Sequence, residues 1–280
     1  MFLITDKQNL TPTVSLLKIK APDVTRHAKP GQFVMLRVEE NGERIPLTIA
    51  EANQTDGTIS VIFQVVGATT KKLSLLKKDD YLLDFAGPMG KPAKLDGLKK
   101  VCVIGGGVGC AIAYPIAKAL FDKNTIVHTI IGFRTKDLVF LENEFKQISE
   151  KSFLVTDDGS YQNQGRVTDI LKDLLEKKET YDEVYAIGPL PMMKYVSELT
   201  KKYQIKTIVS MNPVMVDGTG MCGGCRVSVG NEMKFACVDG PEFDGHLVNF
   251  DEAIMRNKMY ESFESKKYQE VCNTLKEESK

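Results

Sequence analysis

The chain has 280 residues, of which 37 are lysine or arginine and 37 are aspartate or glutamate, so its formal net charge is zero. This balance, without a long basic run, excludes the electrostatic footprint of a nucleic-acid or anionic-membrane binder. Apolar residues make up 42% of the sequence, which is enough for a sizeable core and two or three modest domains. Since the amino terminus lacks the long apolar stretch of a signal peptide or membrane span, we expect a cytoplasmic location.

Residues 1–98 are predicted to form a small antiparallel β-barrel. Runs with partial alternation and many β-branched or aromatic residues occur at 32–38 and 58–66, and glycine, proline and asparagine between the runs indicate turns. Regular short strands with little helix are typical of small barrels and sandwiches.

Two motifs in this part carry side chains suited to a phosphate or a flavin. Arg44-Ile45-Pro46-Leu47-Thr48 lies in a strand-like run, and Gly67-Ala68-Thr69-Thr70 precedes a helical stretch. Arginine binds phosphate through two nitrogens, a threonine hydroxyl can bond a flavin edge, and a Gly-x-x-Thr turn presents N–H groups to an anion. The residues alone leave open an ordinary surface arginine and an ordinary helix cap.

Residues 99–211 are predicted to form a parallel α/β domain, because strands and helices alternate. The predicted strands are 101–104, 125–133, 153–156, 183–187 and 206–209, and the predicted helices are 110–123, 139–150, 167–178 and 191–202. Pro115 lies inside the first of these helices, where it predicts a kink or a position in an early turn.

A glycine-rich loop follows the first strand of this domain. Gly105, Gly107 and Gly109 stand between a buried strand and a helix, where glycine allows a tight turn and close approach to a pyrophosphate. The spacing departs from the dinucleotide fingerprint because Cys110 occupies the place of its third glycine. No acidic residue clearly ends the second strand, so nucleotide binding and a simple tight turn both stay open.

Residues 212–280 hold three of the six cysteines of the chain within sixteen residues. Asp217, Cys222, Cys225 and Cys237 form the pattern Asp-x4-Cys-x2-Cys-x11-Cys, which approaches the spacing of plant-type [2Fe–2S] sites with aspartate in the first position. A structural zinc site is the main alternative, and a thioredoxin-like pair is disfavoured because the motif does not open a helix after a strand. The tail from 250 to 280 is predicted to be an amphipathic helix.

Together these signals resemble the ferredoxin–NADP reductase superfamily, and Gly87-Pro88-Met89-Gly90 resembles its inter-domain signature. The iron–sulfur segment narrows the resemblance to two groups of relatives. One group comprises the electron-transfer subunits of NAD-dependent dihydroorotate dehydrogenase. The other comprises the small subunits of NADH-dependent reduced ferredoxin:NADP oxidoreductase, also called sulfide dehydrogenase small subunits. Asp217 favours the second group, because the first typically has cysteine there.

The resemblance implies three sets of binding residues. Those expected to line FAD or contact its pyrophosphate are Arg44, Pro46, Leu47, Thr48, Gly67 and Thr70. Those expected to contact NAD(H) are Gly105, Gly107 and Gly109 at the pyrophosphate, Asp157 or Asp158 at the ribose, and Gly188 and Pro189 near the nicotinamide. Those expected to hold the [2Fe–2S] cluster are Asp217, Cys222, Cys225 and Cys237.

The implied activity is electron transfer without an acid–base catalytic residue. NADH would deliver a hydride to the flavin, which would pass electrons singly to the iron–sulfur centre and then to a partner protein. The implied partner is a larger flavin and iron–sulfur subunit that handles NADP and ferredoxin, in a heterodimer or larger assembly. A dihydroorotate-oxidising subunit is the alternative partner. A zinc-containing nucleotide sensor without enzymatic activity also stays open.

Overall fold

The computed structural model describes residues 1–278, and Ser279 and Lys280, at the end of the predicted tail helix, lie outside it. The first part of the chain contains seven strands and two short helices. The strands are β1 (Phe2–Asn9), β2 (Val14–Lys20), β3 (Phe33–Arg37), β4 (Arg44–Asn53), β5 (Thr58–Gln64), β6 (Tyr81–Leu82) and β7 (Asp84–Met89). The helices are α1 (Pro22–His27) and α2 (Ala68–Leu75).

These strands form one antiparallel sheet in the order β6-β1-β2-β5-β4-β3-β7. The two outermost strands, β6 and β7, are joined through the single residue Leu83, so the sheet must curl back on itself as a barrel. Alternation of side chains along each strand fills the inside. Val34 and Leu36 of β3 point into the barrel core, where they join Ile59 and Val61 of β5. The predicted flavin-domain barrel is confirmed.

The second part of the chain is a parallel α/β unit. Its strands are β8 (Lys100–Gly106), β9 (Ile126–Phe133), β10 (Lys151–Thr156), β11 (Asn163–Gln164), β12 (Glu183–Ile187) and β13 (Lys206–Ser210). Its helices are α3 (Gly109–Asp122), α4 (Glu142–Gln147), α5 (Val167–Glu176) and α6 (Leu190–Lys202). The strands pair in parallel in the order β11-β10-β9-β8-β12-β13, which brings their carboxyl ends to one edge of the sheet.

The third part adds a small module that is joined to this sheet. A hairpin is formed by β14 (Arg226–Val229) and β15 (Glu232–Phe235), and β16 (Glu242–Asp244) pairs antiparallel with β13. Two helices, α7 (Phe250–Asn257) and α8 (Glu261–Glu278), end the described chain, and α8 packs against α2 of the barrel. Because β16 extends the sheet of the second part, residues beyond 212 help to complete it.

Two local predictions differ from the structure, and one of the two alternatives for Pro115 is excluded. α3 continues through Pro115, which is the seventh residue of the helix and not in its first turn. The predicted helix 139–150 is only six residues long, because Leu141 adopts the left-handed conformation with φ 59° and stops regular helix before it. The predicted single tail helix is two helices, and Met259 and Phe263 near their junction are exposed.

The three parts share hydrophobic packing. One buried cluster contains Phe33 and Met35 of the barrel, Val184 of the α/β sheet, and Cys225 and Cys237 of the third part. A helix that could span a bilayer is not found among the described residues. The boundaries at 98 and 211 stay a prediction, since the core crosses both of them.

Candidate functional site

The predicted flavin strand β4 presents alternate residues to opposite sides. Ile45 and Leu47 pack against the barrel core, so any contact of Leu47 with a ligand would use its backbone. Arg44, Pro46 and Thr48 have the opposite parity and are opposed in the antiparallel pairing with β3 by Arg37, Met35 and Phe33, respectively. These three β4 residues therefore share the outer face of the barrel, called here the flavin-motif face.

Arg44 is held at the end of this face by a carboxylate that the sequence motif did not include. Arg44 Nη2 donates to Asp84 Oδ2 at 3.3 Å, and Arg37 Nε lies 2.7 Å from the same oxygen. Burial opposes ionisation of Asp84, but the hydrogen bonds from both arginines outweigh it and hold the pKa of Asp84 below its usual range. Since Asp84 is 40 residues from Arg44 in sequence, no local pattern could have revealed the pair.

The Gly-x-x-Thr motif begins helix α2 as predicted. Thr70 Oγ1 accepts hydrogen bonds from the N–H groups of Val66 and Gly67, each at 3.0 Å. This side chain caps the helix, and the first turn keeps N–H groups that have no helical acceptor. Thr69 Oγ1 donates to Glu43 Oε2 at 3.3 Å, which places this turn beside the start of β4. The two predicted flavin motifs therefore lie next to each other.

The glycine loop lies at the carboxyl edge of the parallel sheet and is built by close backbone contacts. Gly107 has φ +55°, and its N–H donates to Gly132 O at 2.8 Å. A Cβ on Gly105 would lie 2.8 Å from Cys110 Sγ, and a Cβ on Gly109 would lie 2.4 Å from Ile187 O. Glycine is therefore required sterically at 105 and 109. Burial raises the pKa of the Cys110 thiol, which fits a packing role.

The other predicted nucleotide contacts reach the same edge. A Cβ on Gly188 would lie 3.1 Å from Gly106 Cα, and Pro189 is the N-cap of α6. Asp157 and Asp158 follow β10 and are exposed. Asp158 Oδ1 accepts from the backbone N–H of Ser160 at 3.0 Å and from its hydroxyl at 2.7 Å, and the pKa of Asp158 is lowered by these bonds. Asp158 thus stabilises its own turn, whereas Asp157 bonds Phe133 O through its backbone N–H, which leaves its exposed carboxylate outside that turn's hydrogen bonds.

The four residues of the cysteine pattern form two pairs. Cys225 Sγ lies 3.2 Å from Cys237 Sγ, and both residues are buried. Asp217 Oδ2 accepts from Cys222 N at 2.8 Å, and Asp217 Oδ1 accepts from Thr219 N at 2.8 Å. These backbone N–H groups, with Thr219 the stronger, hold the pKa of Asp217 below its usual range. Within residues 1–278, no three or more histidine, cysteine, aspartate or glutamate side chains lie close enough together to hold one metal ion.

This pairing fits a two-iron cluster better than a single zinc ion. A structural zinc ion needs four ligand atoms around one centre. A [2Fe–2S] cluster distributes four protein ligands over two irons, so it needs two pairs. Cys225 Sγ and Cys237 Sγ form one buried pair of ligand atoms, and Asp217 is held next to Cys222, whose thiol is exposed, by a hydrogen bond from the Cys222 backbone N–H. Gly223 and Gly224, which lie between Cys222 and Cys225, leave backbone N–H groups near the sulfurs, and Gly224 N lies 3.4 Å from Cys222 Sγ.

Comparison with known proteins identifies the families of two segments of the chain. Residues 103–198 match the oxidoreductase NAD-binding domain family, and residues 212–249 match the iron–sulfur cluster binding domain of dihydroorotate dehydrogenase B. The second and third parts are therefore an NAD-binding domain and an iron–sulfur cluster binding domain.

Relatives of nearly the same length are similar over most of the chain. A Thermotoga maritima protein described as a dihydroorotate dehydrogenase B electron transfer subunit homolog is 46% identical, covering 92% of this chain and 91% of its own. The electron transfer subunit of dihydroorotate dehydrogenase B from Fusobacterium nucleatum is 32% identical, covering 81% of this chain and 89% of its own. An uncharacterised Clostridium beijerinckii protein is 47% identical, covering 97% and 94%, respectively.

A solved structure matches the whole fold. It comes from a study of flavin-based electron bifurcation by NADH-dependent reduced ferredoxin-NADP oxidoreductase, with a TM-score of 0.91, 42% identity, and coverage of 97% of this chain and 98% of that chain. An Amycolatopsis cytochrome P450 reductase, at 19% identity and a TM-score of 0.61 over 73% of this chain and 66% of its own, shares the fold. The chain belongs to the family of dihydroorotate dehydrogenase B electron-transfer subunits and their homologues, within the ferredoxin–NADP reductase superfamily.

Proposed function

We propose that the chain is the small subunit of an oxidoreductase of the ferredoxin:NADP type, moving electrons between NAD(H), FAD and a [2Fe–2S] cluster. The larger subunit would exchange electrons with the cluster and carry out the second half of an electron-bifurcating transhydrogenation. The observation that carries this proposal is the position of the cysteine-bearing loop. Gly218, next to Asp217, contacts Met35 and Met89, and Met35 is the cross-strand partner of Pro46 on the flavin-motif face.

Each set of side chains has a binding or orienting task in this proposal. Arg44, steadied by Asp84, and the first turn of α2 would bind the two ends of a flavin pyrophosphate. Thr48 would donate to or accept from the flavin edge, while Pro46 provides an apolar surface beside it. When bound, flavin links the two-electron chemistry of nicotinamide to the one-electron chemistry of an iron–sulfur cluster.

The carboxyl edge of the parallel sheet would position NAD(H). The N-terminus of α3 and the glycine loop would bind its pyrophosphate, with Gly107 leaving open space above the loop. Asp157 would accept hydrogen bonds from the adenosine ribose hydroxyls, because Asp158 is already engaged with Ser160. Gly188 and Pro189 would border the nicotinamide. Asp217 and Cys222 would bind one iron, and Cys225 and Cys237 the other.

The proposal is tested by an absorption spectrum of anaerobically purified protein before and after NADH is added, with flavin, iron and zinc quantified. Flavin bands over a broad iron–sulfur shoulder, both bleached by NADH, are expected. A colourless protein with one zinc per chain would refute the proposal and leave a nucleotide sensor as the function. NADPH in place of NADH tests the nucleotide preference.

A second candidate function is electron transfer for dihydroorotate dehydrogenase, since several relatives carry that description. Asp217 favours the ferredoxin:NADP type, because the dihydroorotate type typically has cysteine at that position. Native affinity purification of the chain with its partner separates the two. The isolated complex is assayed for NAD reduction with dihydroorotate and, separately, with NADPH and oxidised ferredoxin as the second electron acceptor. Activity with dihydroorotate alone would establish the second candidate.

A further inference from the structure

The barrel and the cysteine-bearing loop meet at two methionines that no sequence motif singled out. Met35 of β3 is 2% exposed and stands opposite Pro46 in the pairing of β3 with β4. Met89, at the end of β7, packs against the same buried cluster. Because cross-strand partners point to the same side of a sheet, Met35 shares the flavin-motif face with Pro46.

Gly218 packs so closely against this pair that a residue with a Cβ would require a methionine or the loop to shift. A Cβ at this position would lie 2.6 Å from Met89 Sδ and 2.8 Å from Met35 Cγ. These distances are far inside van der Waals contact, so the loop backbone itself touches both methionines. Gly218 also has φ +78°, a conformation that residues with a Cβ rarely adopt. The neighbour of Asp217 is thus pressed directly onto the barrel.

A second contact fixes the other side of the cysteine module. Lys91 N donates to Gly240 O at 2.6 Å, and a Cβ on Gly90 would lie 2.9 Å from Pro241 Cδ. Gly240 lies three residues after Cys237. The module is therefore attached to the barrel next to both of its ligand pairs, near Asp217 and near Cys237.

We propose that Met35, Met89 and Gly218 are positioning residues that set the gap between the flavin-motif face and the cysteine-bearing loop. This inference rests on the proposed function. In that function the flavin and the iron–sulfur cluster would exchange electrons across this contact. The rate of electron transfer falls steeply as the distance between donor and acceptor increases. Methionine suits the contact, because its unbranched and polarisable side chain fills an irregular gap without a polar atom that needs a partner.

The test compares Gly218→Ala with Gly230→Ala in the full chain carrying its native cofactors. Gly230 has φ +62° in the β14–β15 hairpin, and its added Cβ would meet no heavy atom within 4 Å, so this control carries backbone strain without the clash. After anaerobic mixing with NADH, flavin bleaching is followed by absorbance and cluster reduction by freeze-quench electron paramagnetic resonance. In Gly218→Ala, flavin bleaching should keep the wild-type rate, while cluster reduction slows several-fold. Gly230→Ala should match wild type in both steps.

Met89→Ala completes a double-mutant cycle. Alone it removes the side chain that bridges the gap, so cluster reduction should slow while flavin bleaching does not change. Combined with Gly218→Ala it removes the closer of the two clashes of the new Cβ, so the double variant should be faster than Gly218→Ala alone. If Gly218→Ala loses its cluster, the Met89→Ala variant alone decides the question.

Wild-type cluster reduction in both Gly218→Ala and Met89→Ala would overturn the inference. Equal slowing in Gly218→Ala and Gly230→Ala would also overturn it, because strain alone would then explain the effect. Failure of the wild-type protein to bleach flavin or reduce a cluster with NADH would instead refute the proposed function.

Discussion

Gly109, the first residue of α3, offers a quantitative test of how the glycine loop is built. A Cβ on Gly109 would lie 2.4 Å from Ile187 O and 2.7 Å from Gly188 Cα. Both atoms belong to the backbone between β12 and α6, so no side-chain rotation can relieve the clash. To restore ordinary contact, α3 must move by about 1 Å from β12. We expect Gly109→Ala to weaken the packing of α3 against β12.

The magnitude follows from two opposing effects. Overpacking against a fixed backbone destabilises by about 3 kcal/mol at the upper end of its usual range. Replacement of glycine by alanine in a helix stabilises the fold by at most about 1 kcal/mol. The free energy of unfolding should therefore fall by about 2 kcal/mol, which lowers Tm by roughly 4–8 °C in a chain of this size.

Gly107→Ala is the matched control, because it adds the same methyl group two residues earlier. Its φ of +55° makes alanine unfavourable by about 1 kcal/mol, but no heavy atom lies within 4 Å of the added Cβ. Tm should therefore fall less than in Gly109→Ala. The added methyl group would project into the space assigned to the NAD(H) pyrophosphate, so NADH binding should weaken strongly despite the smaller loss of stability.

Thermal unfolding followed by circular dichroism and NADH titration calorimetry measure the two effects separately. A Gly109→Ala protein as stable as Gly107→Ala would refute the steric reasoning. A Gly107→Ala protein with wild-type affinity for NADH would show that the pyrophosphate does not lie over this loop.

Three further predictions concern single side chains. Asp157→Asn should raise the Kd for NADH by about tenfold, since a charge-assisted hydrogen bond contributes about 1.5 kcal/mol or more. Asp158→Asn should change this Kd less, because the Asp158 carboxylate already bonds Ser160. Burial lowers the pKa of His128 from 6.5, so the unfolded chain gains the proton at a higher pH than the folded chain does. Stability should therefore fall as pH falls below 6.5, by at most about 1.4 kcal/mol per pH unit, and His128→Gln should flatten this slope in pH-dependent denaturation. Burial raises the pKa of Glu242 from 4.5 to about 7. Its stabilising contribution is therefore complete below pH 4.5 and is lost as pH rises through 7. The free energy of unfolding of Glu242→Gln should exceed that of wild type by about 1–3 kcal/mol between about pH 5 and pH 8.

Each of these three predictions has an outcome that contradicts it. Equal effects of Asp157→Asn and Asp158→Asn on NADH affinity would remove the distinction between the two carboxylates. An unchanged acid slope in His128→Gln would mean that another group controls stability below neutrality. A Glu242→Gln protein whose stability follows that of wild type across the pH range would show that Glu242 ionises normally in the fold.

The fold was predictable where side-chain periodicity reports directly on burial. The run Val101–Ile104 is apolar without interruption because β8 is covered on both sides, and glycine ends it where α3 must approach. The assignment of the four residues to one cluster stays a prediction, but their closeness in the chain correctly suggested that neighbouring members of the pattern would contact each other. Asp217 and Cys222 are indeed in hydrogen-bond contact.

Contacts between distant segments were beyond the reach of local patterns. Asp84 joins Arg44 and Arg37 only because β3 lies between β4 and β7 in the sheet. The tail was predicted as one amphipathic helix from its apolar residues, but the exposure of Phe263 shows that its spacing alone does not decide burial. Met35 and Gly218 are ordinary in sequence, and their importance comes from the packing of parts that are about 180 residues apart.

The pairing of β16 with β13 bears on how such proteins can be engineered. In the sequence, the cysteine module is a C-terminal segment that could be removed at residue 212 or grafted onto another reductase. Removal at that point would strip the edge of β13, leaving unpaired backbone N–H and C=O groups ready to pair with another chain. It would also withdraw α8 from α2, beside the proposed flavin pyrophosphate site. A transplanted module must therefore bring β16 to a compatible edge strand, and a truncated reductase needs that edge blocked, for example by lysine or proline, to stay monomeric.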